Sequence, residues 1–201
     1  MKAKMSFTVG AVALTVACVS AQAQVAITGQ INFTGGATID TAIPDATTFE
    51  TFFGPSGSGG PVVQAGGGLP DGSYAGVPGN TVANFTAPFD FGSPTLPFAL
   101  WSFNFGGQTY SFQVNTVTTD NQFSTPFDYI NIGGTGTGTI TGGLTTYLPT
   151  TEDWSITGTT LNGGLTITIG DSNVAVPEPS TLAFGGLGSL LSIATFIRRR
   201  K

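Results

Sequence analysis

Between Gln24 and Val176 the chain contains no Lys, Arg, His or Cys, so its only reactive side chains are carboxyls, hydroxyls and amides. Ser-His-Asp and Cys-His nucleophiles, Schiff-base lysines and zinc sites built on His or Cys are therefore excluded. So is a Gly-rich phosphate loop, which needs its Lys. Carboxylate chemistry survives. Glycoside hydrolysis requires only two carboxyl groups about 5–9.5 Å apart, and Glu50, Glu152 and the Asp residues are the available acids. Glu152 and Asp153 are neighbours and would point to opposite faces of a strand, so the acids read best as solvated groups at strand ends and turns. Calcium is the one metal the residue types admit, because it takes oxygen ligands alone. Asp40, Asp45, Asp71, Asp90, Asp120, Asp128 and Asp171 are scattered and lack EF-hand spacing. The metal ligands are therefore unknown, and no cofactor is expected beyond a structural calcium in the loops. Trp101, Trp154 and Tyr110 have the ring faces of a sugar-stacking platform, although packing in the core of a small sandwich is the favoured role.

The distribution of charge narrows the reading further. The 201 residues include 6 Lys+Arg, 11 Asp+Glu and no His, for a formal charge of −5. Every basic residue lies near an end: Lys2 and Lys4, then Arg198, Arg199, Arg200 and Lys201. Every acid except Glu178 lies between Asp40 and Asp171. An acidic body of this kind repels phosphate backbones, so no nucleic-acid partner is expected. The single cysteine, Cys18, precludes an intramolecular disulfide.

Both ends read as addresses. Lys2 and Lys4 precede an apolar run from Met5 to Val19 and then Ala21-Gln22-Ala23. That order of charged region, apolar region and small-x-small site is a signal peptide over residues 1–23, cleaved after Ala23 by signal peptidase. Thr15-Val16-Ala17-Cys18 loosely resembles a lipoprotein box, with Thr at the position that normally carries Leu. At the other end, Pro177-Glu178-Pro179-Ser180-Thr181 leads into the apolar run Leu182–Ile197 and the basic cluster Arg198-Arg199-Arg200-Lys201. As a helix, at about 1.5 Å per residue, the run spans about 24 Å, short of the ~30 Å hydrocarbon core. It is expected to be a short, transient inner-membrane span, with the basic cluster as its cytoplasmic stop.

This tail, residues 176–201, closely resembles the PEP-CTERM sorting signal of Gram-negative bacteria. Motif, apolar helix, basic cluster and chain end coincide, whereas Pro-Glu-Pro alone would mean little. The resemblance implies export, processing near Pro177, Glu178 and Pro179 by an exosortase (a membrane-embedded cysteine transpeptidase), and release or transfer to the surface in bacteria that make exopolysaccharide. It implies nothing about the activity of the body.

The body, residues 24–175, reads as one all-β domain. Val25, Ile27, Gly29, Ile31 and Phe33 alternate at period two, and Thr47–Phe53 is a second strand. Residues 54–79 are crowded with Gly and Pro and predict long turn-rich loops. Phe98–Phe105 and Gln108–Val114 form a hairpin about Gly106-Gly107. Phe127–Ile132 is another strand, and Gly133–Thr139 reads as a bend or edge strand. Leu148-Pro149-Thr150-Thr151-Glu152, a weak likeness of a sortase pentapeptide, reads as a loop. Trp154 and Ile156 alternate towards Leu161, Asn162-Gly163 turns the chain, and Leu165, Ile167 and Ile169 alternate after it. The expected architecture is an antiparallel β-sandwich, jelly-roll-like or Ig-like, between the signal peptide and the short transmembrane helix.

The sequence thus predicts an exported, non-enzymatic surface or matrix protein with a structural or adhesive role linked to exopolysaccharide or biofilm. A carbohydrate-binding module is the alternative, and a carboxylate-only glycoside hydrolase the third reading.

Overall fold

The computed structural model describes residues 24–55, 59–66, 69–161 and 164–173. The signal peptide with Ala21 and Ala23, the Asn162-Gly163 turn, the Pro177-Glu178-Pro179 triplet, the apolar run and the basic cluster from Arg198 to Lys201 lie outside the described residues. Among the described residues no helix is long and apolar enough to cross a membrane.

The described chain is built from β1 (Val25–Ala26), β2 (Gly29–Ile39), β3 (Thr48–Phe53), β4 (Val62–Val63), β5 (Asn84–Phe85) and β6 (Phe89–Asp90). There follow β7 (Phe98–Phe105), β8 (Gln108–Val114), β9 (Thr119–Phe123), β10 (Tyr129–Gly142), β11 (Tyr147–Leu148), β12 (Thr150–Leu161) and β13 (Gly164–Asn173). Period-two alternation explains the long strands. In β13, Leu165, Ile167 and Ile169 are buried while Thr166 and Thr168 face out. In β8 the same rule buries Tyr110, Phe112 and Val114. The β7–β8 hairpin turns at Gly106 and Gly107, with φ of 58° and 78°. Two successive positive φ values suit the right-handed strand twist, and glycine adopts them without steric cost.

Eleven strands form one antiparallel sheet with the path β5-β7-β8-β10-β12-β13-β2-β3-β6, while β4 pairs with β2 and β9 with β10. A separate parallel pair joins β1 to β11. In a flat sheet, strands spaced ~4.8 Å apart would put β2 and β7 about 24 Å from each other, and β3 and β5 about 34 Å. Instead the Phe33 ring on β2 lies 5.0 Å from Trp101 on β7, and Phe52 on β3 lies 5.3 Å from Phe85 on β5. The sheet therefore rolls over, and its two halves face each other across an aromatic core. The roll is stitched shut: β4 pairs with β2, Val62 bridges to Val82, and the chain after Val82 enters β5, which pairs with β7. The antiparallel all-β expectation holds, with both facing layers supplied by one rolled sheet.

Three local expectations are corrected. Gly133–Thr139 is neither a bend nor an edge. It lies inside β10, which pairs with β12 on one side and with β9 and β8 on the other. Its inward glycines make room for neighbours: a Cβ on Gly136 would strike the Phe112 ring, and one on Gly138 would strike the Glu152 carboxyl. Leu148–Glu152 is not a loop either, because Leu148 ends β11 and Thr150–Glu152 opens β12. Finally, the Gly/Pro-rich stretch 54–79 is not all exposed turn. It contains β4 and the 3-10 turn Gly72–Tyr74, and buries Val62, Val63, Tyr74 and Val77.

Candidate functional site

The described body buries two acids, Glu152 and Asp171, each 1% exposed. Both arise from the rule that buries the aliphatic side chains around them. Glu152, Trp154 and Ile156 are successive inward positions of β12, as Ile167, Ile169 and Asp171 are of β13. Asp153 faces the opposite side and is exposed, as the strand pleat requires. The register sets Asp171 opposite Trp154 on β12 and opposite Ile31 on β2. Since Asp153 pairs with Ser172, the next rung puts Glu152 opposite Asn173 and diagonal to Asp171. The two carboxyls make direct contact.

A third element reaches this pair from the loop side. The turn Gly72–Tyr74 and Asp71 before it are tied to Thr28 and the start of β2 by Ser73 N–H donating to Thr28 O (2.7 Å) and Gln30 N–H donating to Asp71 Oδ1 (2.6 Å). So anchored, Tyr74 points inward, and its hydroxyl lies 3.0 Å from Glu152 Oε1 and 3.1 Å from Oε2. Asn173 Nδ2 donates to Glu152 Oε1 at 2.8 Å. Tyr74 and Asn173 thus serve Glu152, and neither reaches an Asp171 oxygen.

No cationic side chain exists between residues 24 and 173 to balance these acids. Burial raises the Glu152 carboxyl above the usual carboxylate range, against the pull of its hydrogen-bonding contacts with Asp171, Tyr74 and Asn173. Asp171 is raised further, first by burial and then by the adjacent Glu152 charge. The same burial and the two nearby acids push the Tyr74 phenol far up, so it is a neutral donor at any physiological pH. The cluster can hold a proton between two acids. Both acids are 1% exposed, so no sugar has access between them as hydrolysis by a carboxyl pair requires.

The remaining acids are dispersed. Asp40 accepts from Thr47 and Thr48, Asp90 from the Ser93 N–H, Asp120 from Gln122 and Asp128 from Thr160. Glu50 is exposed on β3. Among the described residues no three acids gather as metal ligands. Solvated strand ends and turns were thus the right expectation for most of the acids and the wrong one for Glu152 and Asp171. The missed signal was simple: extending the row Leu165, Ile167, Ile169 by one step puts Asp171 inside.

Trp101, Trp154 and Tyr110, at 2%, 4% and 3% exposed, take the favoured core role and form no exposed stacking platform. Trp101 packs at 5.9 Å from Phe112, Tyr110 at 4.8 Å from Phe103, and Trp154 at 5.9 Å from Phe89. Aromatic rings at period two on a sheet whose other face is polar go inwards, because burying each contributes more than any exposed stacking role.

No curated protein and no solved structure matches this chain. Residues 175–201, the segment that begins two positions after β13, match the PEP-CTERM protein-sorting motif, and the body ahead of it has no family assignment.

Proposed function

We propose that the chain is an exported, non-enzymatic protein of the cell surface or extracellular matrix, with a structural or adhesive body delivered by an exosortase-type system. In this reading signal peptidase cleaves after Ala23. The short apolar run then holds the protein in the inner membrane, and processing near Pro177-Glu178-Pro179 frees it. The match of residues 175–201 to the sorting motif is the observation that carries export and sorting.

The outer face of the sheet supports the adhesive role. One rung across four strands reads Asn131, Thr157, Thr168 and Thr34, and the next reads Tyr129, Thr159, Thr166 and Gly36. Where Gly170 supplies no side chain, Gln30, Asn32, Asp153, Ser155 and Ser172 line an outward hollow of about 230 Å³. Hydroxyls and amides at β-sheet spacing suit hydrogen bonding to a neutral polyol such as exopolysaccharide. A structural calcium is kept as a proposal for the exposed acidic loops.

Intact-mass analysis of material released from cells tests the reading. The expected species lacks Lys201, and replacement of Pro177, Glu178 and Pro179 by alanine should leave the protein in the inner membrane. Released protein that retains Lys201 would overturn it.

A further inference from the structure

We propose that Glu152, Asp171 and Asn173 form a proton-held latch that fastens the last strand of the body, and with it the junction to the sorting tail. Donor bookkeeping assigns the proton. The Tyr74 hydroxyl and the Asn173 amide both donate to Glu152, so Glu152 is the carboxylate. No other side chain donates to Asp171, which adjoins the Glu152 carboxyl and the backbone of its own neighbour Ser172. Asp171 is therefore the carboxylic acid, and its proton lies between the two groups. Without it, two carboxylates would touch inside an apolar core, an arrangement that low dielectric makes costly.

The elements packed on the pair bring no alternative counter-charge. The 3-10 turn brings Tyr74, backed by Tyr110 of β8 at 6.0 Å between ring centroids, and both are neutral donors. From β2 comes apolar Ile31, from β10 Gly138, and from β12 Trp154 together with the outward acid Asp153. None is cationic, so a proton is the counter-charge this chain can recruit.

The latch has a position as well as a chemistry. Asp171 and Asn173 lie in the last rungs of β13, and the matched sorting segment opens at residue 175. From Asn173 to Pro177 the chain reaches at most about 14 Å. When the pair is protonated, β13 is paired up to Asn173 and the tether is short. As pH rises, Asp171 yields its proton to solvent, and the two carboxylates repel. The end of β13 then separates from β12 and β2, lengthening the tether. The link to the tail rests on the sorting reading, whereas the latch itself does not.

Amide hydrogen exchange on the full chain between pH 5 and 8, corrected for intrinsic exchange, is the test. Protection of Gly170 to Asn173 is expected to fall at least about tenfold in the wild type, the factor that corresponds to about 1.4 kcal/mol. It should stay constant in Asp171→Asn, whose amide donates to Glu152 as the acid does. Glu152→Gln provides the same reading if the first variant does not fold, because a single remaining carboxyl has no second charge to repel it and the fall in protection is lost. An identical pH dependence in wild type and variants overturns the latch. So does recovery of wild-type protection at pH 8 on adding calcium chloride, which would make a metal ion the counter-charge. Retention of Lys201 in released protein would instead overturn only the sorting reading.

Discussion

The Tyr74 hydroxyl donates to Glu152 across 78 residues of sequence, at 3.0 Å from Oε1. This bond joins a Gly/Pro-rich loop to the start of a core strand and supplies a buried carboxylate with a neutral donor. Removing the hydroxyl alone, in Tyr74→Phe, keeps the ring against Tyr110 and leaves Glu152 short of one partner. The expected cost is about 1–3 kcal/mol of stability, the range for a buried polar group left unpaired. Urea unfolding with an unchanged slope would show this. A loss below about 0.5 kcal/mol would mean that the bond contributes little.

Stability should depend on pH with a sign set by the buried pair. Both folded-state carboxyl values are raised, so the folded protein binds protons more tightly than the unfolded chain. Stability is thus fully present below the unfolded Asp value of about 3.9 and falls as pH rises through the folded values. The slope within that window approaches 1.4 kcal/mol per pH unit for one proton. Thermal unfolding from pH 4 to 9 should show a falling wild-type curve. Asp171→Asn should give a flatter curve that lies above wild type at pH 8.

Gly138 is held to glycine by what packs on it. Its added Cβ would meet the Glu152 carboxyl, whereas a Cβ on Gly59 would meet nothing within 4 Å. Gly138→Ala is expected to cost about 1–3 kcal/mol through overpacking, and Gly59→Ala to stay within about 0.5 kcal/mol of wild type. Parallel denaturant melts decide the matter, and equal effects at the two positions would contradict the packing.

Both tryptophans are core residues, so their fluorescence should be blue-shifted from that of free tryptophan and poorly quenched by acrylamide. Adding neutral polysaccharide should leave the emission unchanged even if it binds the hydroxyl face, since neither Trp101 nor Trp154 is exposed there. Strong quenching in the folded protein would return the stacking platform to consideration.

Much of this molecule was legible one strand at a time. Alternation marked Ile31 and Phe33, the Tyr110–Val114 row and the Leu165–Ile169 row as inward. Gly106-Gly107 marked the turn between β7 and β8. These are local signals, set by the pleat and by φ. Gly133–Thr139 misled because glycine has little intrinsic strand preference. Its reason for being in β10 lies in the neighbouring strands, where Phe112 and Glu152 need the space. Tyr74 was equally hidden, because nothing in a loop's own composition says which strand it will cover.

By itself the sequence determined the acidic body devoid of cations, the residue classes available for chemistry, the strand pattern and the sorting tail. Each is a matter of residue type and short spacing. Only the tertiary structure decided that the sheet rolls until Phe52 meets Phe85, that the tryptophans are walled in, and that Glu152 meets Asp171 and Tyr74. Those pairings depend on register and curl across many strands, where one residue of slip would turn every inward side chain out. The missing cations and the buried acids acquire their meaning together: in the proposed latch, a body without Lys, Arg or His neutralises its two adjacent buried carboxyls with a proton.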